Sequence, residues 1–197
     1  MTGSFLDRPV RDLLDLFAAG RTTPGAGSAA ALAGALAGGL IQAAARYTVR
    51  AQGDFAPRAA EILAEAEERS DRLRRAVDED AAAFERFWKG HKRGEQDEAA
   101  LRETIDIPLR IAGDCAALAA LALELYESGF RNARGESAAA VLQAVAAGEA
   151  AAYAAQLNLK AAGSAEWRPA GEEEAAGLLG RLRDLRERIA ISWSGHG

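Results

Sequence analysis

Two aspartates sit in apolar helix patterns where a carboxylate is costly. Leu73, Val77, Asp80, Phe84 and Phe87 step by four, three, four and three residues, so Asp80 falls on the apolar seam. Ile107, Ile111, Asp114, Leu118, Leu121 and Leu125 repeat the pattern, with Asp114 as the odd member. A carboxylate removed from water must be paired or hydrogen-bonded. Burial also raises its pKa, which suits it to proton transfer near neutral pH. Each aspartate is therefore either a general acid/base lining a cavity between helices, or a buried group paired with an arginine or capping a helix. The adjacent Asp78 and Glu79 read as solvated.

Two loops carry the remaining candidates. In Thr23-Pro24-Gly25-Ala26-Gly27-Ser28 the proline and glycines allow a tight turn and close backbone approach, and Ser28 suits a helix N-cap. Free N–H groups at such a start attract electron-rich ligand atoms. The second loop, Gly129-Phe-Arg-Asn132-Ala-Arg134-Gly-Glu136-Ser137, offers arginine forks for carboxylates and an amide for a planar polar group. Asn158 interrupts an apolar helix end and must bond to something, in the core or on a ligand. His91 and Lys92 fall in the polar Gly90–Asp97 stretch, and His196 in the terminal Gly195-His-Gly is a poor catalytic candidate. No His/Asp/Glu spacing suggests a metal site, and no Ser-His-Asp set is evident. Metal-free acid/base chemistry is the expectation.

All of these residues must be positioned by helices, because no segment alternates like a strand. A short helix is expected from Asp7-Arg-Pro9 to Gly20, with Val10, Leu13, Leu14 and Phe17 inward. Longer ones are expected over Ser28 to about Gln52, Pro57 to about Lys89, and Glu98 to about Glu127, the last kinked or split at Pro108. A fifth runs from about Glu136 to Ala162. Gly163–Gly171 reads as a loop, and a last helix buries Leu178, Leu182, Leu185 and Ile189. Ala30, Gly34 and Gly38 form a bare ridge against which another helix or a flat ligand can lie.

The 197 residues suit one domain, 1–197, with a core rich in Ala, Leu, Val and Ile, since aromatics are only 6%. A net charge of -5 argues against general nucleic-acid or anionic-membrane binding. The lone Cys115 lies in an apolar run and reads as a buried, inert thiol. The start at Met1 shows no basic-then-apolar leader, and the Ser28–Ala45 run is too weakly hydrophobic for a membrane span, so a cytoplasmic protein is expected.

Thr-Pro-Gly-Ala-Gly-Ser followed by Ala-Ala-Ala-Leu-Ala-Gly-Ala-Leu resembles the opening signature of the cyclodeaminase/methenyltetrahydrofolate cyclohydrolase family, with Ala26 where a glycine is usual. Asp80-Ala-Ala-Ala-Phe84, Lys92 downstream of it, Pro108-Leu109, Gly129-Phe-Arg-Asn132 and Leu157-Asn158 follow that family's order and spacing. Departures fall at Arg50-Ala51, where the family has Gly-Lys, at Arg93-Gly94-Glu95, where it has Leu-Pro-Lys, and in the second loop. Phe130 replaces an asparagine, Ala133 and Gly135 replace serines, and Glu136 replaces an aspartate. The resemblance implies an all-α bundle of about six antiparallel or orthogonal helices that dimerises through its helices. It implies a tetrahydrofolate derivative as substrate or ligand, with no cofactor required.

Cyclodeaminases of that family expel ammonia as the ring closes, and cyclohydrolases add water to a cationic bridge. On this footing Asp80 and Glu136 are the candidate acid/base or pterin-contacting groups; Asp114, which is not part of the family's pattern, is the third candidate from its place on the apolar stripe. Thr23, Pro24, Gly25, Gly27, Ser28, Lys92, Asn132, Arg134 and Asn158 are the candidate substrate-binding residues. Two other readings stay open: a family-fold protein that binds a different small molecule without chemistry, and a helical oligomerisation module.

Overall fold

The computed structural model describes residues 3–95 and 97–194. A 3-10 turn at Phe5–Asp7 precedes six α-helices: α1 (Val10–Ala18), α2 (Ala26–Arg50), α3 (Ala56–Lys92), α4 (Glu98–Ser128), α5 (Arg134–Leu159) and α6 (Arg168–Ser194). The described residues contain no strand. His196, named above, lies outside them.

The long helices alternate in direction, as cross-links between their ends show. Ser28 at the start of α2 meets Asp80 late in α3, while Arg58 at the start of α3 forks onto Glu124 near the end of α4, at 2.9 and 3.0 Å. Thr104 early in α4 meets Asn158 at the end of α5. Helices α2, α3, α4 and α5 therefore form an antiparallel bundle, and α6 packs across α4 and α5. Buried residues of α2 to α6 make one apolar cluster. Leu178, Leu182, Leu185 and Ile189 fall inside it, as their spacing predicts.

The bare ridge of α2 is used within the chain. A Cβ on Gly34 would stand 2.6 Å from the Cys115 sulfur, and one on Gly38 would stand 2.0 Å from Ser70 Oγ. Small residues here let α3 and α4 approach α2 closely. Cys115 is fully buried, and burial pushes its thiol up to about 12.

Several boundaries differ from the sequence reading. Helix α2 starts at Ala26 with Gly25 as its N-cap, so Ser28 lies inside the first turn and its hydroxyl turns to Asp80 instead. Helix α3 runs on to Lys92, which places His91 and Lys92 on its last turn. Pro108 does not split α4. Helix α6 begins at Arg168, because Pro169 is tolerated in a first turn where its missing N–H has no partner to lose. In α1 only Leu13 is buried, while Val10 and Leu14 are 73% and 59% exposed. Asp78 is not solvated: it accepts from the Phe5 N–H at 2.8 Å and from the Ser4 hydroxyl, pinning the N-terminal turn to α3.

Helices α2 and 131–162 are long and apolar enough to cross a membrane by length and composition alone. In each, 56% of the apolar window is buried inside the bundle.

Candidate active site

Asp80 closes the N-terminus of α2 from the side. Its Oδ2 accepts the Ser28 hydroxyl at 2.8 Å, and the Ser28 backbone N–H also bonds the carboxylate. An incoming carboxylate thus satisfies one of the orphan donors of α2 and meets the positive end of its dipole. Close approach is possible only because residue 27 is glycine: a Cβ there would lie 2.1 Å from Asp80 Oδ1. Burial is the larger influence and pushes the Asp80 carboxyl above the ordinary carboxylate range, while the two Ser28 bonds pull it part of the way back. No cation is paired with it among the described residues.

The carboxyl borders a cavity of about 360 Å3, within the size range of small-molecule sites. The first loop contributes Thr22, Thr23, Gly25, Ala26 and Gly27. Phe84 and Pro108 supply apolar wall, and α5 supplies Tyr153, Leu157 and Asn158. Pro24 is buried behind the loop. The cavity therefore has one acid with a raised pKa, one amide and mostly apolar walls, an arrangement suited to proton transfer on a bound small molecule.

The other candidates lie elsewhere. Asp114 is clamped by Arg69 at 2.9 Å and by Arg72 at 2.7 and 3.0 Å, facing a separate groove between α3 and α4. Lys92 rests over the Trp88 ring at 5.4 Å, twelve residues beyond Asp80 and so about 18 Å along α3. Asn132, Arg134 and Glu136 sit at the far end of the bundle. There Thr48, near the end of α2, accepts the Phe130 N–H at 3.0 Å, and Arg134 covers Tyr126 at 5.7 Å. Glu136 and Asn158 are separated by about 33 Å along α5. Within one chain the second loop and the Asp80 cavity do not meet. Among the described residues no three His, Cys, Asp or Glu side chains are grouped to hold a metal ion.

The sequence profile of formiminotransferase-cyclodeaminase matches residues 9–176. The chain belongs to this family. It is 28% identical over 195 residues to a methenyltetrahydrofolate cyclohydrolase of Methylorubrum extorquens, a match covering 91% of this chain and 93% of the relative. Its fold is similar to that of the formiminotetrahydrofolate cyclodeaminase of Thermotoga maritima, with a TM-score of 0.88, 24% identity and coverage of 96% and 98% of the two chains.

In this member of the formiminotransferase-cyclodeaminase family, the structure gathers Thr23, Gly25, Gly27, Ser28, Asp80 and Asn158 at one end of the bundle. The sequence pattern gives no role to Tyr153, and it marks Leu157 only as part of the Leu157-Asn158 segment. Their signal is a pair of large apolar residues four apart on an alanine-rich helix, facing away from the buried Ala151, Ala155 and Leu159; they are 54% and 63% exposed.

Proposed function

We propose that this chain is a metal-independent, cytoplasmic, single-domain enzyme acting on the amidine carbon–nitrogen bond of a methenyl- or formiminotetrahydrofolate-type substrate. The observation that carries this reading is Asp80: a raised-pKa acid with no cationic partner, held by neutral donors against a cavity. The activities for which the relatives are named supply the substrate class. Ionised Asp80 takes a proton from water as its oxygen adds to the cationic bridge carbon. The acid so formed returns that proton to the ring nitrogen as the carbon–nitrogen bond breaks, and the hydroxyl proton leaves to solvent as the formyl group forms. In ring closure of a formimino group the same acid protonates the departing amine, which leaves as ammonia. Tyr153, Leu157 and Phe84 limit the water that reaches the bridge.

A second copy completes the site in this reading. Residues 26–45 carry no charge, and α2 and α5, which pack together, present Leu36, Tyr47, Leu142, Tyr153 and Leu157 outward, each 46–63% exposed. The cavity opens at one end of this strip and the second loop stands at the other. A two-fold pairing of the strips lays Asn132, Arg134 and Glu136 of one copy beside the cavity of the other. Leu36→Glu is expected to yield monomers by light scattering and to abolish turnover.

The direct test follows the absorbance of methenyltetrahydrofolate, and ammonia release from formiminotetrahydrofolate. Loss of either substrate above the spontaneous rate, abolished in Asp80→Asn, supports the reading. Neither reaction in the native protein refutes it. Tight folate binding without turnover favours the non-catalytic alternative, to which the rebuilt second loop (Phe130, Ala133, Gly135) points.

A further inference from the structure

Helix α4 carries Pro108 in its interior yet runs unbroken from Glu98 to Ser128. Proline has no N–H, so the Thr104 carbonyl, four residues earlier, loses its helical donor. That carbonyl accepts instead from Asn158 Nδ2 at 2.7 Å, across from α5. A carbonyl can only accept, so the bond fixes which way round the amide lies. Asn158 lines the Asp80 cavity, and its Oδ1 accepts no hydrogen bond from the described residues.

We propose that Pro108 and Asn158 work as a pair: the missing N–H of one pins the amide of the other, so that Asn158 Oδ1 reads a ring N–H of the ligand. Asn158 is then a specificity-determining residue for planar heterocycles that donate hydrogen bonds, such as an aminopyrimidine ring. This rests on the folate reading given above. The pinned amide costs the ligand little ordering on binding, and a site built to accept an N–H rejects analogues that lack it.

A substitution at 158 alone mixes two effects, because it strips the Thr104 carbonyl of its donor as well as the cavity of its acceptor. Pro108→Ala separates them, since an alanine N–H restores the helical bond to Thr104. The experiment compares Asn158→Ala and Asn158→Asp, each in the native and the Pro108→Ala background. It measures Tm, and KM and kcat with methenyltetrahydrofolate. In the native background both variants should lower Tm. In the Pro108→Ala background Tm should recover in both. There, Ala at 158 should still raise KM about tenfold relative to Pro108→Ala alone, with kcat little changed, the size expected for one lost hydrogen bond. Asp at 158, an acceptor without a donor, should restore KM. Recovery of KM together with Tm in the alanine double variant overturns the inference and leaves the folate reading intact. Additive Tm changes at 108 and 158 also overturn it. A native protein that neither binds nor converts methenyltetrahydrofolate overturns both.

Discussion

Asp80 and Asp114 carry the same signature in sequence and meet opposite fates in the fold. Both are odd members of apolar helix stripes, and both border a cavity, of about 360 and 310 Å3 respectively. Asp114 is gripped by two guanidiniums, Arg69 and Arg72, which themselves hold Glu65 and Glu68. Its hydrogen bonds hold the Arg72 pKa above its ordinary value. Each of these three carboxylates has a guanidinium partner, and the network ties α3 to α4. Among the described residues Asp80 has only a hydroxyl and an amide N–H, both from Ser28. Its charge is tolerated rather than neutralised, which leaves the proton available for exchange. The lesson is that a buried carboxylate is informative about function chiefly through the partners it lacks.

The sharpest way to break this contrast is to neutralise each acid in turn. Asp80→Asn keeps shape and the bond from Ser28 and is expected to reduce turnover by about 10²- to 10⁴-fold, the usual share of a general acid/base, with little change in Tm. Asp114→Asn should leave the rate within about twofold. It should cost about 2 kcal/mol in denaturant unfolding, below the ~3–5 kcal/mol of a fully buried pair because both arginines are partly exposed and keep a glutamate. If Asp114→Asn abolishes turnover and Asp80→Asn only loosens the fold, the assignment is reversed.

Next in size is Gly27→Ala. The added Cβ would stand 2.1 Å from Asp80 Oδ1, with backbone on one side and α3 on the other, so the carboxyl must move. A displacement of about 1 Å at a reacting group costs on the order of 10²-fold in rate. Native-like helicity by circular dichroism with a rate this low is the expected result; an unaltered rate removes the need for the close approach.

How far these features could be seen in the chain itself follows from the range of each interaction. The seams of α3, α4 and α6 were legible because helical period is local: Leu73, Val77, Ile107, Ile111, Leu178 and Leu182 are buried where spacing puts them. The two aspartates were legible as anomalies for the same reason. Their different partners were not, since Arg69 and Arg72 lie 45 and 42 residues before Asp114. Ser28 looked like a cap because it follows a glycine loop, yet Asp80, 52 residues away, carries out that task. Pro108 looked like a break because the repairing donor, Asn158, belongs to another helix. In α1 nine residues were too few for the period to choose a face, and Val10 and Leu14 proved exposed. The distance between the second loop and the cavity reflects topology, which local pattern does not encode.

A subtler probe uses pH. Because burial raises the folded-state pKa of Asp80, its ionised form costs stability at pH values above that pKa. The cost disappears as pH falls through the folded pKa toward the unfolded value, opposite to a salt-bridged carboxylate. If the ionised form is the base for water addition, kcat should fall on the acid side with an apparent pKa above the ordinary range. Ser28→Ala removes a hydroxyl that lowers this pKa, so the acid limb should move to higher pH while the plateau falls only a few-fold. Asp114→Asn should leave the limb where it is. A limb unmoved by Ser28→Ala would mean that another group titrates.

The smallest expected effect completes the comparison from the other side. Each acid has a glycine nearby, Gly27 against Asp80 and Gly113 beside Asp114, and the two should respond in opposite directions. A Cβ on Gly113 would meet nothing nearer than Leu178 at 4.0 Å, an ordinary van der Waals contact. Residue 113 lies in the interior of α4, where glycine costs backbone entropy relative to alanine. Gly113→Ala should therefore stabilise the fold by about 0.5–1 kcal/mol, seen as a raised denaturation midpoint at unchanged slope, and leave the rate untouched. The Asp114 clamp has room for an extra methyl because its contacts are between long, adjustable side chains. The Asp80 site has none because a carboxylate is seated directly on backbone, and that difference in tolerance is what separates a structural tie from a positioned reactive group.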